Sequence, residues 1–128
     1  MSEKKATAPQ LAIQLARIVH DDKCESVTVM DLRGLSPVTD FFVICSGTSN
    51  RQMRTAADHA IEHGKAINEP PFSKSGTESA TWILIDFVDV VLHIFTPEHR
   101  DYYDLELLWG DAPRIEWAAA TSAKKPPA

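Results

Sequence analysis

The segment Ser46-Gly-Thr-Ser-Asn50 has residue types that could bind an anion. It lies between a predicted strand and a predicted helix, and the N-terminus of a helix presents free N–H groups to a phosphate. The segment matches neither the GxxxxGK[ST] phosphate-binding loop nor the GxGxxG dinucleotide fingerprint. The alternative is a capped turn, in which Ser49 and Gln52 form a capping box at the start of the helix. The sequence favours the capped turn and leaves anion binding open.

Nucleotidyl transfer would require such a loop together with paired carboxylates that hold metal ions. The nearest candidates are Asp86 and Asp89, which flank a predicted turn. Asp40 stands alone, because Phe41 and Phe42 occupy the positions where a second carboxylate would be needed. The pattern predicts a protein that is not an enzyme and needs no cofactor. A nucleotidyltransferase-like enzyme is kept as the competing hypothesis.

Four side chains close together in the sequence have types that bind metals, namely His93, His99, Asp101 and Asp104. Their spacing does not match HExxH or a related pattern, and His93 falls within a predicted strand. A solvated helix face explains the last three residues better. We therefore expect no metal site.

The composition bounds the class of protein. The chain has 128 residues, which suits one domain, and 44% of them are hydrophobic. The formal net charge is −5, from 13 basic and 18 acidic residues. Proteins that bind phosphate backbones need a basic footprint, so sequence-specific nucleic-acid binding is not expected. An acidic domain could still join a nucleoprotein particle by binding one of its basic proteins.

The two cysteines, Cys24 and Cys45, form no CxxC motif, and no signal-peptide pattern precedes them. No apolar run reaches the roughly 18 residues of a membrane span. We expect reduced thiols and a cytoplasmic protein that does not enter a membrane.

Hydrophobic periodicity predicts the element order α-β-β-α-β-β-α. The first helix opens at Thr7-Ala-Pro9, two strands cover 27–31 and 40–45, and the second helix ends around 64–67. A hairpin within 81–95 precedes a third helix, which starts at Thr96-Pro97 and has Leu105, Leu108 and Trp109 on its apolar side. The fold class is α/β, with a mixed sheet and helices packed mainly on one face.

The domain organisation follows from the same pattern. Residues 1–8 read as a flexible N-terminus, 9–115 as a single domain, and 116–128 as a disordered tail rich in Ala, Lys and Pro. Residues 68–79 contain two prolines and a glycine and predict an exposed loop with a poorly paired strand at most.

The hairpin has two faces of different character. Side chains alternate along a strand, so one face is wholly aliphatic and predicts core. The other face carries Trp82, Leu84, His93 and Phe95, and is either a second buried face or a docking surface. A loop of two or four residues predicts that Ile85 pairs with Val90 and Trp82 with His93.

Tyr102 and Tyr103 are adjacent on the third helix, so their side chains point about 100° apart. One of them can pack inward while the other faces solvent. A tyrosine at an interface supplies apolar area and a hydroxyl group.

Four stretches in order along the chain resemble the ribosomal silencing factor family, RsfS, also called the Iojap-like family. They are Asp31-Leu-Arg-Gly-Leu-Ser, Thr39-Asp-Phe-Phe-Val-Ile-Cys-Ser-Gly-Thr-Ser-Asn-Arg-Gln52, the hairpin from Trp82 to Phe95, and Tyr102-Tyr-Asp-Leu-Glu-Leu-Leu-Trp-Gly-Asp-Ala-Pro-Arg114. The resemblance runs from about Leu11 to Arg114 and is specific because the motifs occur together. One departure is Val88, which stands where the family's hairpin turn usually has Gly. Since a β-branched residue resists positive φ, we expect a wider turn.

The resemblance implies a nucleotidyltransferase-like topology without that superfamily's catalytic residues. It also implies a translation repressor that binds the large ribosomal subunit and sterically blocks subunit association. The implied partner is ribosomal protein number fourteen of that subunit (the uL14 family), and the free chain is implied to be a homodimer. A homodimeric scaffold without a ribosomal role is a further alternative. The candidate partner-binding residues are Trp82, Leu84, His93, Phe95, Tyr102, Tyr103 and Asp104.

Overall fold

A computed structural model describes residues 6–118 and contains one six-stranded sheet with four helices. The helices are α1 (Ala8–Asp21), α2 (Asn50–Ala66), α3 (Pro97–Tyr103) and α4 (Leu105–Leu108). The strands are β1 (Glu25–Asp31), β2 (Phe41–Ser46), β3 (Ser73–Ser75), β4 (Trp82–Asp86), β5 (Val90–Phe95) and β6 (Arg114–Ile115). All seven predicted elements are present in the predicted order.

The sheet is mixed, as predicted, with strand order β3-β4-β5-β2-β1-β6. Only β2 and β5 pair in parallel, and the other neighbouring strands are antiparallel. The central position of β2 agrees with its sequence, because five of its six residues are buried. A strand that packs on both faces needs apolar side chains at nearly every position.

Two long helices cover one face of the sheet. Thr7 and Gln10 form a reciprocal capping box that starts α1, with side-chain to backbone distances of 3.0 and 3.3 Å. Helix α2 presents Ala56, Ala57 and Ala60, all fully buried, toward the core. These short side chains let the helix approach the sheet closely. The aliphatic hairpin face, with Ile83, Ile85, Val90, Leu92 and Ile94, is completely buried beneath the helices, which confirms the core prediction.

The opposite face, here called the second face, carries a smaller core. Met30, Leu32, Ile44, Phe95 and Ala112 form a separate buried cluster. Leu105, the first residue of α4, and Trp109, which follows α4, pack partly buried against this cluster. Helices therefore cover both faces, but α3 and α4 are short and cover the second face only in part.

The hairpin pairs in a register two residues away from the predicted one. Trp82 pairs with Phe95 and Leu84 with His93, so the predicted pairing of Trp82 with His93 is wrong. Because the error is an even number of residues, every side chain still lies on its predicted face.

The turn that sets this register is short, but it is wider than a two-residue turn. Only three residues separate β4 from β5, and Val88 adopts a φ of +78°. The Asp89 N–H donates to the Phe87 carbonyl at 3.0 Å, which makes a γ-turn centred on Val88. The Asp86 carboxylate accepts the Val88 N–H at 2.7 Å and helps hold the strained residue. The connection is thus wider than two residues, as expected, but Val88 nevertheless adopts the positive φ that a β-branched residue resists.

The edges of the sheet are short strands. The loop predicted at 68–79 contains the three-residue strand β3, whose side chains are all exposed. At the other edge, β6 pairs with β1 through Val29–Ile115 and Met30–Arg114. Trp117, assigned to the tail by sequence, donates its indole N–H to the Val27 carbonyl at 3.0 Å. Ordered packing thus extends at least to Trp117. The remainder of the predicted tail from 119 onward, and residues 1–5, lie outside the described residues.

Replacing Val88 with Gly is expected to stabilise the protein by about 1 kcal/mol, because glycine adopts positive φ without the steric penalty that valine incurs. Urea unfolding of the Val88→Gly variant measures this gain. Val88→Ala is the matched control, since alanine removes bulk but keeps the Cβ that causes the strain. An equal gain from alanine, or no gain from glycine, would contradict the strained turn.

Candidate partner-binding surface

Trp82 opens β4 on the second face and is half-buried. Its ring stacks on Phe95 with centroids 4.8 Å apart and contacts Tyr103 of α3 at 4.6 Å. Its indole N–H donates to Nδ1 of His93 at 3.1 Å. The sequence left open whether this face is a second buried face or a docking surface, and the structure places Trp82 half-buried on it, at the junction between the hairpin and α3.

The hydrogen bond from Trp82 fixes the protonation of His93. An indole N–H is only a donor, so Nδ1 of His93 must be the acceptor, and the neutral ring carries its proton on Nε2. The Nε2 atom is buried and has no hydrogen-bond partner within residues 6–118. Burial lowers the pKa of His93 to about 3, because the charged imidazolium would lose its hydration. His93 is therefore neutral at physiological pH.

The structure separates the four candidate residues of the hairpin. His93 and Phe95 are 4% and 1% exposed, beneath Phe42, Trp82 and Tyr103. Trp82 and Leu84 are only half-buried. Direct contact with a partner is thus open to Trp82 and Leu84, whereas His93 and Phe95 support the surface from below.

A sharp corner separates α3 from α4, where the sequence predicted one continuous helix. Asp104 adopts a left-handed conformation, with φ of 47° and ψ of 55°, and ends α3. Its carboxylate then accepts the Leu107 N–H at 3.3 Å and caps α4. Aspartate tolerates this conformation better than most residues because its short side chain can hydrogen-bond the local backbone.

The two tyrosines differ in how much of each side chain is exposed. Tyr103 is 45% exposed and leans on Trp82, whereas Tyr102 is 81% exposed. Their rings meet edge to face at 5.0 Å. Tyr102 is therefore the more available of the two for a partner.

Sequence reasoning missed two strongly exposed leucines. Leu107 and Leu108 on α4 are 76% and 71% exposed, so the placement of Leu108 on the buried side was wrong. The four-residue helix turns its Leu105 inward and leaves the next two leucines outside. Leu35 joins them across a groove of about 330 Å³. We call Tyr102, Tyr103, Leu107, Leu108 and Leu35 the α3–α4 surface.

Acidic residues are frequent in the segment that forms most of this surface. The segment from Glu98 to Asp111 contains five carboxylates and one arginine. Apolar groups among acidic ones suit a partner that is basic and has apolar side chains of its own. The only sequence signal for this arrangement was the pair of adjacent leucines beside acidic residues.

The folded chain does not bring together the residues that a nucleotidyltransferase-like enzyme would need. Ser46 lies at the end of the sheet where β2 pairs with Phe95, whereas Asp86 and Asp89 lie at the opposite end. The Ser49 hydroxyl accepts the Gln52 N–H, and the Gln52 amide oxygen accepts the Thr48 N–H, so this loop caps its own helix. Gln52 therefore bonds Thr48 instead of completing the predicted capping box.

The candidate metal ligands are also dispersed. His99 contacts the Thr96 hydroxyl at the start of α3, while His93 is bonded to Trp82 within the sheet. Across residues 6–118, the side chains of His, Cys, Asp and Glu form no group of three or more placed to hold a metal ion.

The model of the family described as "Ribosomal silencing factor during starvation" (RsfS) matches residues 5–128. The chain belongs to the ribosomal silencing factor family. A relative from Halalkalibacterium halodurans, named ribosomal silencing factor RsfS, is 43% identical over 112 residues, which are 84% of this chain and 92% of the relative. Another of that name, from Bacillus subtilis, is 40% identical over 79% of this chain and 86% of its own.

A crystal structure of a Chromobacterium violaceum protein superposes with a TM-score of 0.79 at 30% identity, covering 82% of this chain and 88% of that one. The likeness supports the mixed α/β architecture of this RsfS-family chain. None of the helices described between residues 6 and 118 has the length and apolar content needed to cross a membrane.

His93 is expected to make folding of this RsfS-family chain sensitive to acid. The unfolded chain binds a proton on this histidine near pH 6.5, but the folded chain does so only near pH 3. Stability attributable to His93 is therefore complete above about pH 6.5 and is lost as the pH falls toward 3. Between about pH 7 and pH 5 the loss amounts to ~2 kcal/mol.

The variant His93→Asn keeps an acceptor for Trp82 but does not titrate. Urea unfolding at the two pH values should show a smaller acid loss in this variant than in the parent. His20→Asn, which replaces an exposed histidine, is the matched control. Parallel losses in parent and His93→Asn would show that His93 is not buried in its neutral form.

Proposed function

We propose that this chain lowers translation by binding the large ribosomal subunit and sterically blocking its association with the small subunit. The observation that carries the proposal is the α3–α4 surface, where strongly exposed leucines and tyrosines stand among carboxylates in a member of the silencing factor family. Monomeric proteins rarely expose such apolar groups together unless a partner covers them.

The chemistry of the surface favours a ribosomal protein over ribosomal RNA as the direct contact. Carboxylates repel phosphates, whereas ribosomal proteins are basic because they neutralise RNA. The resemblance names ribosomal protein number fourteen of the large subunit, of the uL14 family, and we propose it as the partner. Apolar anchors would supply affinity, and the acidic rim would speed and orient the encounter.

Steric blocking requires no reaction, so we propose that the chain is not an enzyme. Calorimetry with magnesium and nucleoside triphosphates would detect saturable binding if the competing hypothesis were right.

We further propose that the chain acts in the cytoplasm, where its ribosomes are. The free chain is proposed to form a homodimer through the same surface, which light scattering would detect, and to exchange that contact for the ribosome.

Sucrose-gradient sedimentation tests the proposed function. Adding the chain in excess to purified subunits should reduce the assembled ribosome peak, and the chain should sediment with the large subunit. An unchanged ribosome peak, together with chain that remains at the top of the gradient, would rule the proposal out.

Leu107 is the cleanest single probe of the proposed contact, because its side chain has few contacts to lose in the free protein. Leu107→Ser should weaken binding to large subunits by about tenfold, the value of burying most of a leucine. Its free energy of unfolding should change by no more than about 0.5 kcal/mol. Binding measured by sedimentation and unfolding measured in urea separate the two effects.

Phe72→Ser is the matched control. Phe72 is 77% exposed, but it precedes β3, which is an edge strand of the sheet. It should leave subunit binding unchanged. If Phe72→Ser weakened binding and Leu107→Ser did not, the contact would lie at the β3 edge instead. Trp82→Ala is a poorer probe, because Trp82 also packs on Phe95 and Tyr103 and its loss would disturb the fold.

A further inference from the structure

Arg100 is a buried cation on the inner side of α3. Its side chain is 10% exposed and lies over the end of the sheet. The guanidinium Nε and Nη2 donate to the two carboxylate oxygens of Glu106, at 3.1 and 2.8 Å. This two-point geometry is the strongest that arginine and a carboxylate form. Hydrogen bonding from Arg100 also lowers the pKa of the Glu106 carboxyl, which keeps it ionised.

The same guanidinium connects the corner to the sheet. Nη1 donates to the Ser46 hydroxyl of β2 at 3.0 Å, and Nη2 reaches the Thr28 hydroxyl of β1 at 3.4 Å. One side chain therefore joins α3, α4 and two strands. Among these contacts, only the pair with Glu106 fixes α4.

Helix α4 needs such external support. It has four residues, none of them buried, and a single helical turn is unstable in water without tertiary contacts. Its attachments are the Asp104 cap, the partial packing of Leu105 and Trp109, and the bond from Arg100 to Glu106. Leu107 and Leu108, the exposed leucines of the α3–α4 surface, lie in the turn that Glu106 anchors.

We infer that Arg100 and Glu106 are positioning residues, which hold α4 against α3 so that the α3–α4 surface is ordered before it meets its partner. The inference rests on the proposed function. A surface already in its bound conformation loses less entropy on association, so it binds more tightly for the same contacts. Neither residue needs to touch the partner for this effect.

Variants of the pair test the inference through binding to purified large subunits. Arg100→Gln and Glu106→Gln should each weaken binding, the former by about tenfold. The double variant should bind about as weakly as Arg100→Gln alone, because either change already releases α4. Losses that multiply would mean that the two residues contact the partner independently, and unchanged binding would mean that the pair has no positioning role. Either result overturns the inference.

Amide hydrogen exchange of the free chain supplies a readout that needs no ribosome. In both single variants the amides of Leu108 and Trp109, which bond Asp104 and Leu105, should exchange faster, while amides of β2 and β5 remain protected. Faster exchange throughout the sheet would make Arg100 a residue of general stability and would also overturn the inference.

Arg54→Gln is the matched control. Arg54 donates to the Thr77 and Glu78 carbonyls at 2.8 and 2.6 Å from α2, on the other face of the sheet. It should change neither subunit binding nor exchange in α4. If the parent chain fails to bind large subunits, the proposed function is wrong, and the exchange measurement alone decides whether Arg100 and Glu106 hold α4.

Discussion

The stacking of Trp82 on Phe95 beneath Tyr103 is the contact on which the second face depends. It joins the hairpin to α3 and excludes water from His93. A sheet face with Phe, Ile and Met side chains cannot remain in water, yet between residues 6 and 118 only two short helices cover it. Because those helices are short, they bury some apolar side chains and leave others exposed.

The two faces of the sheet differ, and the difference relates stability to function. The face beneath α1 and α2 packs in a large core whose buried residues are at most 9% exposed. The second face combines a small core with an exposed apolar and acidic exterior. A factor that acts by steric blocking needs a rigid surface of this kind more than it needs a catalytic group, and the large core can hold the sheet rigid beneath it.

The elements that follow a repeating hydrophobic pattern could be predicted from the sequence. Alternation along β4 and β5 predicted both faces of the hairpin, and periodicity with caps predicted α1 and α2. The hairpin register and the division of the last helix could not be predicted, because they depend on the backbone conformations of single residues. Val88 adopts a positive φ that valine seldom takes, which shifted the hairpin register, and Asp104 takes a left-handed conformation that divides the last helix. Neither conformation follows from a hydrophobic pattern, since each depends on tertiary contacts that hold the strained residue.

The structure separates the candidate site residues in a way that the sequence did not predict. Trp82 is half-buried on the predicted face, whereas His93 and Phe95 are buried and Leu107 with Leu108 was overlooked. Side-chain exposure on α4 depends on the corner at Asp104 and on the bond from Arg100 across six residues to Glu106. A sequence cannot show which of several nearby carboxylates an arginine reaches.

Photo-crosslinking from defined positions tests the central claim most directly, namely that the chain meets the large subunit through the α3–α4 surface. A photoreactive phenylalanine analogue at Tyr102 should crosslink to a single basic protein of the purified large subunit. The same analogue at Asp58, an exposed residue of α2 on the other face, should yield no crosslink. Crosslinks from Asp58 with none from Tyr102 would contradict the account.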